Sequence, residues 1–358
     1  MACAQPRFFA AGGHGITLNC KLLGVNSSAT SLRVFRGMPP AGATAPRALT
    51  IGNFDGVHLG HQAMLARVCT AAEQRGLVPT VMTFEPHPRE FFAHTFDKPE
   101  LAPARISGLR DKLAALAACG IQQVVVERFD ARLAAMPPET FIERLLVAGL
   151  DVRWLLVGDD FRFGAKRTGD VQLLRAHGGF EVDSMDSITD RDGVRISSTD
   201  VRAALAAGDL ERVADLLGRN YHMSGHVVHG LKLGRQLGFP TLNINVAPQI
   251  TGLSGIFAVR VHGIGARPKA GVASLGVRPT VTNSGRVLLE VHLFDFTGDA
   301  YGKLARVEFL KKLREEAKFA DLATLTAAIA QDVRQARAYF ASGHPALSDL
   351  ATSATDRI

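Results

Sequence analysis

The sequence lacks the features that mark membrane proteins, secreted proteins and zinc scaffolds. No apolar run approaches the roughly 18 residues that a membrane-spanning helix needs, and no basic segment followed by an apolar core opens the chain. Its four cysteines, Cys3, Cys20, Cys69 and Cys119, have no C-x-x-C spacing, which argues against a zinc site or a disulfide framework. These absences predict a globular protein of the reducing cytoplasm.

Positive charge is in excess, but it is not gathered into blocks. The chain has 41 Lys and Arg residues against 34 Asp and Glu residues, which gives a formal net charge of +7. No basic run is interleaved with aromatic residues, so nucleic-acid binding is not expected. An enzyme that handles nucleotides and phosphate esters would carry the same excess of charge.

The length and the hydrophobic pattern predict two domains. From Ala48 to about residue 185, short apolar strands alternate with helices, which predicts a Rossmann-like, doubly wound parallel sheet. After Gly218, apolar strands follow one another between Gly, Pro and Asn turns, which predicts a small antiparallel, Greek-key-like β-barrel. A closing helix is predicted to pack on this barrel through an apolar stripe. The stripe consists of Leu322, Leu325, Ile329, Val333 and Phe340.

The predicted fold class is therefore α/β plus all-β, in four consecutive segments. These are a disordered extension over 1–31, an α/β domain over 32–217, an all-β domain with its helix over 218–345, and a flexible tail over 346–358. Within the α/β domain, the pattern predicts helices over 61–75, 106–119 and 138–148.

The α/β domain is organised around LTIGNFDGVHLGH, residues 49–61. A strand enters a turn and a helix follows, so free N–H groups and the positive end of the helix dipole form an anion site. His58 and His61 are three residues apart and can face one bound group from the first helical turn. The stretch predicts phosphate binding, with packing or a metal fragment as the alternatives. The turn residues are Gly52, Asn53, Phe54 and Asp55.

Further polar motifs follow strands of the same domain, where ligands of parallel sheets bind. GDDFRFG, residues 158–164, joins carboxylates to aromatic rings, which suits a flat heterocycle. RISSTDVR, residues 195–202, opens a helix that Ser198 or Thr199 can cap, and with Arg202 it suits a phosphate. EPHP, residues 85–88, predicts a stiff turn. Structural capping and ring packing remain alternatives for these motifs.

The all-β domain has a Gly-rich stretch, GHVVHGLKLGRQLGFPTLN, at residues 225–243. Its glycines would let backbone N–H groups approach a phosphate, although the GK[ST] ending of a Walker A loop is absent. Thr241 and Asn243 lie on one face of a predicted strand, as two ligands of one ion do. Glu290 lies in an apolar strand, where a carboxylate costs free energy unless it has a partner or a role. A flexible hairpin and a solvated Glu290 are the alternatives.

Taken together, these motifs resemble those of the bacterial bifunctional riboflavin kinase/FAD synthetase family. G-x-F-D-G-V-H-x-G-H, V-G-D-D-F-R-F-G, I-S-S-T-x-V-R, G-R-x-L-G-F-P-T-x-N and E-x-H-L-x-D-F occur in this order, and the resemblance covers about residues 32–345. One departure is Leu242, which replaces the usual Ala and should point away from Thr241 and Asn243. The resemblance implies ATP-dependent phosphorylation of riboflavin to FMN by the all-β domain. It also implies adenylylation of FMN to FAD, with release of pyrophosphate, by the α/β domain.

The resemblance also implies a role for each matching residue. Glu290 would be the general base of the kinase, and His58 and His61 would stabilise the transition state of adenylyl transfer. ATP phosphates in the α/β domain would contact Gly52, Asn53, Phe54, Asp55, His58, His61, Ser198, Thr199 and Arg202. Nucleotide or flavin would contact Asp159, Asp160, Phe161 and Phe163. ATP in the kinase would contact Gly230, Gly234, Arg235, Gly238, Pro240, Thr241 and Asn243, of which Thr241 and Asn243 would also bind Mg²⁺.

The implied partners are the small molecules riboflavin, FMN and ATP, without nucleic acid or membrane. Two other interpretations stay open at this point. One site could be inactive or act on another substrate, as in a cytidylyltransferase fused to a binding barrel. Alternatively, the chain could be a basic nucleotide- or RNA-binding protein without catalysis.

Overall fold

A computed structural model describes residues 15–18, 31–40, 45–190, 193–230, 234, 237–246, 251–278 and 286–343. These residues form two compact units. The first unit holds the described residues up to Asn53 together with Gln62–Ala102 and Leu116–Ser187. The second unit holds Phe54–His61, Pro103–Ala115 and the described residues from Ile188 onwards. The segment bounds expected from the sequence stay predictions.

The first unit is built on a seven-stranded sheet with the order β1-β2-β5-β4-β3-β6-β7. Its strands are β1 (Ile16–Leu18), β2 (Leu32–Arg36), β3 (Arg47–Ile51), β4 (Val78–Glu85), β5 (Gln123–Arg128), β6 (Val152–Gly158) and β7 (Glu181–Met185). Neighbouring strands from β2 to β7 are parallel, whereas β1 pairs with β2 in the antiparallel direction. The predicted α/β class is confirmed. Strand β1 was not predicted, and most of the extension around it lies outside the described residues.

Helices follow most of these strands along the chain. They are α1 (Leu59–Arg75), α2 (Pro88–Thr95), α3 (Leu109–Ala118), α4 (Ala131–Ala134), α5 (Pro138–Phe141, continued by the π-helical Ile142–Gly149) and α6 (Val171–His177). All five residues of β3 are buried, as expected for a central strand that is covered on both faces. The core of the unit includes Leu49, Val125, Leu146 and Leu155, each completely buried.

The second unit contains a closed antiparallel barrel with the strand order β10-β11-β12-β9-β8-β13. Its strands are β8 (His222–Val228), β9 (Leu242–Val246), β10 (Gly255–His262), β11 (Lys269–Arg278), β12 (Arg286–Leu293) and β13 (Leu304–Arg314). Its helices are α7 (Ser198–Ala207), α8 (Leu210–Leu217) and α9 (Leu322–Ala341). The predicted barrel with a C-terminal helix is confirmed. In the described part of the chain, no helix has the length and apolar composition of a membrane span.

Apolar side chains fill the barrel and also cover part of its outer face. The inner core includes Phe257 and Leu289 and is continuous with Val201 of α7 and Leu217 of α8. On the outer face, α9 packs against a smaller cluster. That cluster comprises Ile256, Ala258, Val272, Phe294 and Ala336, with Val333 and Phe340 partly buried beside them.

One member of the predicted stripe on α9 does not pack on the barrel. Leu322 is 58% exposed, so its predicted burial is wrong. Leu322 is the first residue of α9, directly after the capping residue Asp321, where the helix has only begun. Val333 and Phe340 do pack as predicted.

Candidate active sites

The turn that leads into α1 has an unusual backbone. Phe54 and Val57 have φ angles of 47° and 44°, and Gly56 has a φ of 84°. Non-glycine residues rarely enter this left-handed region, because their side chains then crowd the backbone. Such a conformation persists where the surrounding structure holds it, and it is concentrated at functional sites.

The carboxylate of Asp55 ties this turn to two other segments of the second unit. Asp55 is 1% exposed and accepts hydrogen bonds from the N–H groups of Ile106 and Ser107 at 3.1 Å. Nη2 of Arg202 donates to Oδ2 of Asp55 at 2.7 Å, and Nε of Arg202 donates to the carbonyl of Ala104. The predicted phosphate ligands Asp55 and Arg202 are therefore paired with each other, and the pair supports the turn.

The two histidines of the motif stack on each other. Their ring centroids are 3.7 Å apart with an interplanar angle of 21°, and the N–H of His61 donates to Nδ1 of His58 at 3.3 Å. The ring of Phe54 lies 4.9 Å from that of His61. Nδ1 of His61 is buried and has no hydrogen-bond partner among the described residues.

Burial keeps both imidazoles uncharged. It is the main cause that lowers the pKa of His58 to about 4, and it also lowers the pKa of His61 well below its ordinary value. The charge of Arg219 adds to the lowering of both pKa values. Near pH 7, each ring is neutral and offers one donor and one acceptor nitrogen.

The start of α7 lies against the same turn. Oγ of Ser198 donates to the carbonyl of Asp55 at 3.0 Å, and Thr199 is exposed in the first helical turn. The predicted capping by Ser198 or Thr199 is wrong. Ser197 caps the helix, because Asp200 lies three residues later and completes a reciprocal capping box.

A separate cavity of about 680 Å³ lies within the first unit. Of the predicted site residues, it is lined by Gly52, Asn53, Asp160, Phe161 and Phe163. Asp159 is not among the lining residues; it is exposed and accepts a hydrogen bond from the N–H of Asp160. The N–H of Gly52 donates to the carbonyl of Met82, so sheet pairing already uses this predicted phosphate donor.

Aromatic rings and cations that the motifs did not single out complete the wall of this cavity. Phe84, Phe92 and Phe129 contribute rings, and Phe92 meets Phe129 edge-on at 5.8 Å. The cations at the cavity are Arg89, Arg162, Lys166 and Arg167. Flat apolar walls beside positive charge suit a planar heterocycle that carries an anionic group.

The EPHP motif does more than form a stiff turn. His87 caps α2, because Nδ1 of His87 accepts from the N–H of Arg89 and the carboxylate of Glu90 accepts from the N–H of His87. Helix α2 was not predicted, since two prolines in four residues indicated a loop. Both His87 and Phe92 of α2 line the cavity of the first unit.

A second cavity, of about 420 Å³, lies between the outer face of the barrel and α9. Glu290 of β12 lines it and is paired in register with Asn243 of β9 on one side and with Ser274 of β11 on the other. Residues directly opposite each other in antiparallel strands project their side chains to the same face. Thr241, two residues before Asn243, also lines the cavity. The structure thus brings Glu290, Thr241 and Asn243 to one face.

The glycines of the Gly-rich stretch are required by close approach. A side chain at position 230 would collide with the amide of Asn243, and one at position 234 would collide with the carbonyl of Phe239 beside Thr241. Gly238 has a φ of 84°. The carbonyl of Pro240 accepts a hydrogen bond from Nδ1 of His292 at 2.9 Å. Arg235 lies outside the described residues.

Leu242 lies away from this cavity, and residues that the motifs did not indicate complete its wall. Leu242 packs against the inner core of the barrel, which confirms that it points away from the site. Glu316 lines the cavity with its carboxylate against Gly276, and Arg314 and Asp332 form an ion pair in the same wall. Each of the three comes from a segment after β12, so no motif local to Glu290 indicated them.

Comparisons with known proteins match the chain in two consecutive segments. One family model, FAD synthetase, matches residues 42–200, and another, riboflavin kinase, matches residues 217–340. The bifunctional riboflavin kinase/FMN adenylyltransferase of Escherichia coli K12 is 48% identical over 301 residues, covering 83% of this chain and 94% of that protein. The protein of the same name from Pseudomonas fluorescens is 47% identical and covers 81% of this chain and 91% of its own length.

Among solved structures, a macrolide-efflux protein from Streptococcus pneumoniae has a TM-score of 0.66 to this chain. It is 27% identical, and the likeness covers 81% of this chain and 93% of that protein. Two family models in tandem and curated relatives matched along nearly their whole length decide the assignment. The chain belongs to the family of bacterial bifunctional riboflavin kinase/FMN adenylyltransferases, with the FAD synthetase domain N-terminal and the riboflavin kinase domain C-terminal.

Proposed function

We propose that this chain phosphorylates riboflavin to FMN at the barrel cavity and adenylylates FMN to FAD through the residues around His58 and His61. The observation that carries the proposal is that each matched segment holds side chains suited to the reaction of its family. The segment that matches riboflavin kinase holds a carboxylate beside a Gly-rich phosphate loop. The segment that matches FAD synthetase holds two neutral imidazoles at a helix start.

In the kinase reaction, Glu290 acts as the general base. Its carboxylate takes the proton of the riboflavin 5′-hydroxyl while that oxygen attacks the γ-phosphorus of ATP, and ADP leaves. Support comes from the register that sets Glu290 beside Asn243, on the face that also carries Thr241. The close packing of Gly230 and Gly234 brings the backbone of the Gly-rich stretch to the same two residues.

The kinase residues also fit a magnesium ion. The hydroxyl of Thr241 and the amide oxygen of Asn243 are hard oxygen donors, which Mg²⁺ takes together with substrate phosphates and water. No group of three or more His, Cys, Asp or Glu side chains suited to a metal occurs in the described chain, so a site made of protein ligands alone is not proposed. The ion, when bound, neutralises charge on the phosphates.

In the adenylyl transfer, the phosphate of FMN attacks the α-phosphorus of ATP and pyrophosphate leaves. No protein nucleophile is needed, so the residues act by positioning and by hydrogen bonding to the phosphates. His58 and His61 supply neutral imidazoles, and the first turn of α1 supplies N–H groups. The paired Asp55 and Arg202 hold the turn. We assign the aromatic cavity of the first unit to the flat ring of flavin or nucleotide.

The direct test supplies the purified protein with riboflavin, ATP and Mg²⁺ and follows FMN and FAD by chromatography. Both products are expected, with FMN appearing first. FMN without FAD would contradict the role of the α/β domain, and the absence of FMN would contradict the role of the barrel. A parallel reaction that starts from FMN tests the second step independently of the first.

Two variants assign the steps to residues. Glu290→Gln keeps the shape of the side chain but cannot take a proton, so riboflavin phosphorylation should fall by ~10²–10⁴-fold while FAD formation from FMN is unchanged. His61→Ala should abolish FAD formation from FMN and leave riboflavin phosphorylation near normal. Equal loss of both activities in either variant would contradict separate sites, and an active Glu290→Gln kinase would exclude this residue as the base.

A further inference from the structure

An arginine outside every motif holds the turn that precedes the two histidines. Nη2 of Arg219 donates to the carbonyl of Gly56 at 2.5 Å, and Nη1 donates to the carbonyl of Val57 at 3.0 Å. The same Nη1 also donates to the carbonyl of Leu217, the last residue of α8. One planar guanidinium thereby joins two successive carbonyls of the turn to the end of a helix.

These carbonyls belong to the strained part of the turn. Gly56 and Val57 have φ angles of 84° and 44°, and a β-branched residue in this region is a genuine outlier. Such a conformation persists only where the surrounding structure fixes it. The buried side chain of Val57 and the hydrogen bonds of Arg219 to both carbonyls supply that fixation.

The conformation of this turn determines the positions of the two imidazole rings. Val57 is bonded directly to His58, so the orientation of its carbonyl sets the direction in which the chain enters the histidine pair. His61 follows His58, because the N–H of His61 donates to Nδ1 of His58 and the two rings stack at 3.7 Å. There is little free space, since a side chain at position 60 would lie 3.2 Å from the ring of His58. A shift of the turn therefore moves both rings.

We infer that Arg219 is a positioning residue for adenylyl transfer, which acts by clamping the carbonyls of Gly56 and Val57. The inference rests on the function proposed for His58 and His61. Arg219 lies in the segment matched by the riboflavin kinase model, whereas both histidines lie in the segment matched by the FAD synthetase model. A residue of the kinase segment thus serves the chemistry of the other activity.

The test compares Arg219→Ala and Arg219→Lys with the wild type. For FAD formation from FMN, kcat should fall by ~10–100-fold in Arg219→Ala, because a displacement of about 1 Å of a catalytic group has that effect. KM for ATP and for FMN should change by less than about threefold, because the groups that bind substrate remain. The kcat of Arg219→Lys should lie between those of the wild type and Arg219→Ala, since a point charge cannot reproduce the planar fork of the guanidinium. Riboflavin phosphorylation by the same variants should be unchanged.

Two controls separate positioning from folding. Millimolar guanidinium should raise the kcat of Arg219→Ala towards the wild-type value and leave Arg219→Lys unaffected, which a folding defect would not do. Arg212→Ala is the matched control, because Arg212 of α8 donates to the carboxylate of Asp190, which is not part of the turn. Arg212→Ala should form FAD at the wild-type rate.

Two results would contradict the role of Arg219. A wild-type kcat in Arg219→Ala overturns the inference, as does a parallel loss of both activities and of melting temperature in both Arg219 variants. His61→Ala, assayed alongside, separates this failure from failure of the proposed function. If His61→Ala still forms FAD, the role of the histidines is wrong; if it does not while Arg219→Ala does, only the role of Arg219 is wrong.

Discussion

At the scale of single residues, burial changes the pKa of His58 more than any nearby charge does. The carboxylate of Asp200 raises the pKa of His58, yet burial is the larger effect and, with Arg219, Arg195 and Arg202, brings it to about 4. A buried imidazolium among three guanidinium groups would be costly, so the neutral ring is the stable form. A neutral ring can donate its one N–H to a phosphate oxygen, which suits a site where charge is neutralised mainly by other groups.

The lowered pKa of His58 predicts that acid destabilises the protein. The folded-state pKa of about 4 lies below the ordinary 6.5, so between these values the unfolded chain binds more protons. The contribution of His58 to the free energy of unfolding is therefore complete above about pH 6.5. It falls by about 3 kcal/mol as the pH drops towards 4. Urea unfolding of wild type and His58→Gln across this range should show a shallower pH dependence in the variant.

A further buried imidazole, that of His222, contributes equally to both proteins in that comparison. Burial also lowers the pKa of His222 to about 4, in spite of the nearby carboxylate of Asp111. His222 is present in both proteins, so its contribution cancels in the difference between them. Parallel curves for wild type and His58→Gln would contradict the assignment of the acid sensitivity to His58.

The sequence indicated residues whose chemistry is visible in a local pattern. Glu290 was recognisable because a carboxylate interrupts an apolar strand, and Thr241 and Asn243 because alternation places them on one face. Asp55 and Arg202 were both expected to bind phosphate, and the structure pairs them with each other across 147 positions of sequence. Arg219 was missed because its acceptors are backbone carbonyls of a turn 162 and 163 positions away, which no local spacing reveals.

At the scale of elements, two ion pairs hold α9, and they differ in burial. Arg314 of β13 makes a two-pronged contact with Asp332, with both N···O distances 2.8 Å and the Asp332 side chain 5% exposed. Arg337 makes a similar contact with Asp295, but both of these side chains are at least half exposed. The first pair lies in the wall of the barrel cavity, so it supports the site as well as the helix.

Removing one partner of the buried pair should weaken both the helix contact and the kinase. Asp332→Asn should lower the free energy of unfolding by about 2 kcal/mol, less than the roughly 3–5 kcal/mol of a fully buried pair because Arg314 is partly exposed. Riboflavin phosphorylation should fall, whereas FAD formation from FMN should not. Urea unfolding and the two separate assays measure these effects.

The exposed pair on the same helix is the matched control. Asp295→Asn removes a carboxylate from an equivalent two-pronged contact, but solvent screens that contact, so the urea midpoint should not change measurably. If Asp295→Asn and Asp332→Asn had equal effects on stability, burial would not be what distinguishes the two pairs.

Elements with a clear period were predictable, and elements that depend on special residues were not. The helices predicted over 61–75, 106–119 and 138–148 occur with bounds within three residues of these, as Leu59–Arg75, Leu109–Ala118, and Pro138–Phe141 continued by Ile142–Gly149. Helix α2 was missed because its signal is a capping histidine after a proline, which is typical of a loop. Strand β1 was missed because three residues are too few to show a period, and they form a strand by pairing with β2.

At the scale of the whole molecule, the barrel core extends beyond the segment matched by riboflavin kinase. Helix α8 lies between the two matched segments except for its last residue, Leu217, because the first segment ends at residue 200 and the second begins at residue 217. Its buried residues nevertheless belong to the same apolar cluster as Phe257 and Leu289 inside the barrel unit. These residues are Leu210, Val213, Leu216 and Leu217. The stability of the kinase should thus depend on a helix that the sequence pattern assigned to the α/β domain.

Leu217→Ala tests this dependence. The side chain is 1% exposed, so its truncation should leave a cavity and cost about 2–5 kcal/mol of unfolding free energy. Because Leu217 belongs to the cluster that fills the barrel, the temperature at which riboflavin phosphorylation is lost should fall. Leu155→Ala makes an equal truncation in the core of the first unit and should lower the inactivation temperature of FAD formation instead. If Leu217→Ala shifted only the inactivation of FAD formation, α8 would belong energetically to the α/β domain, as the predicted boundary at 217/218 has it.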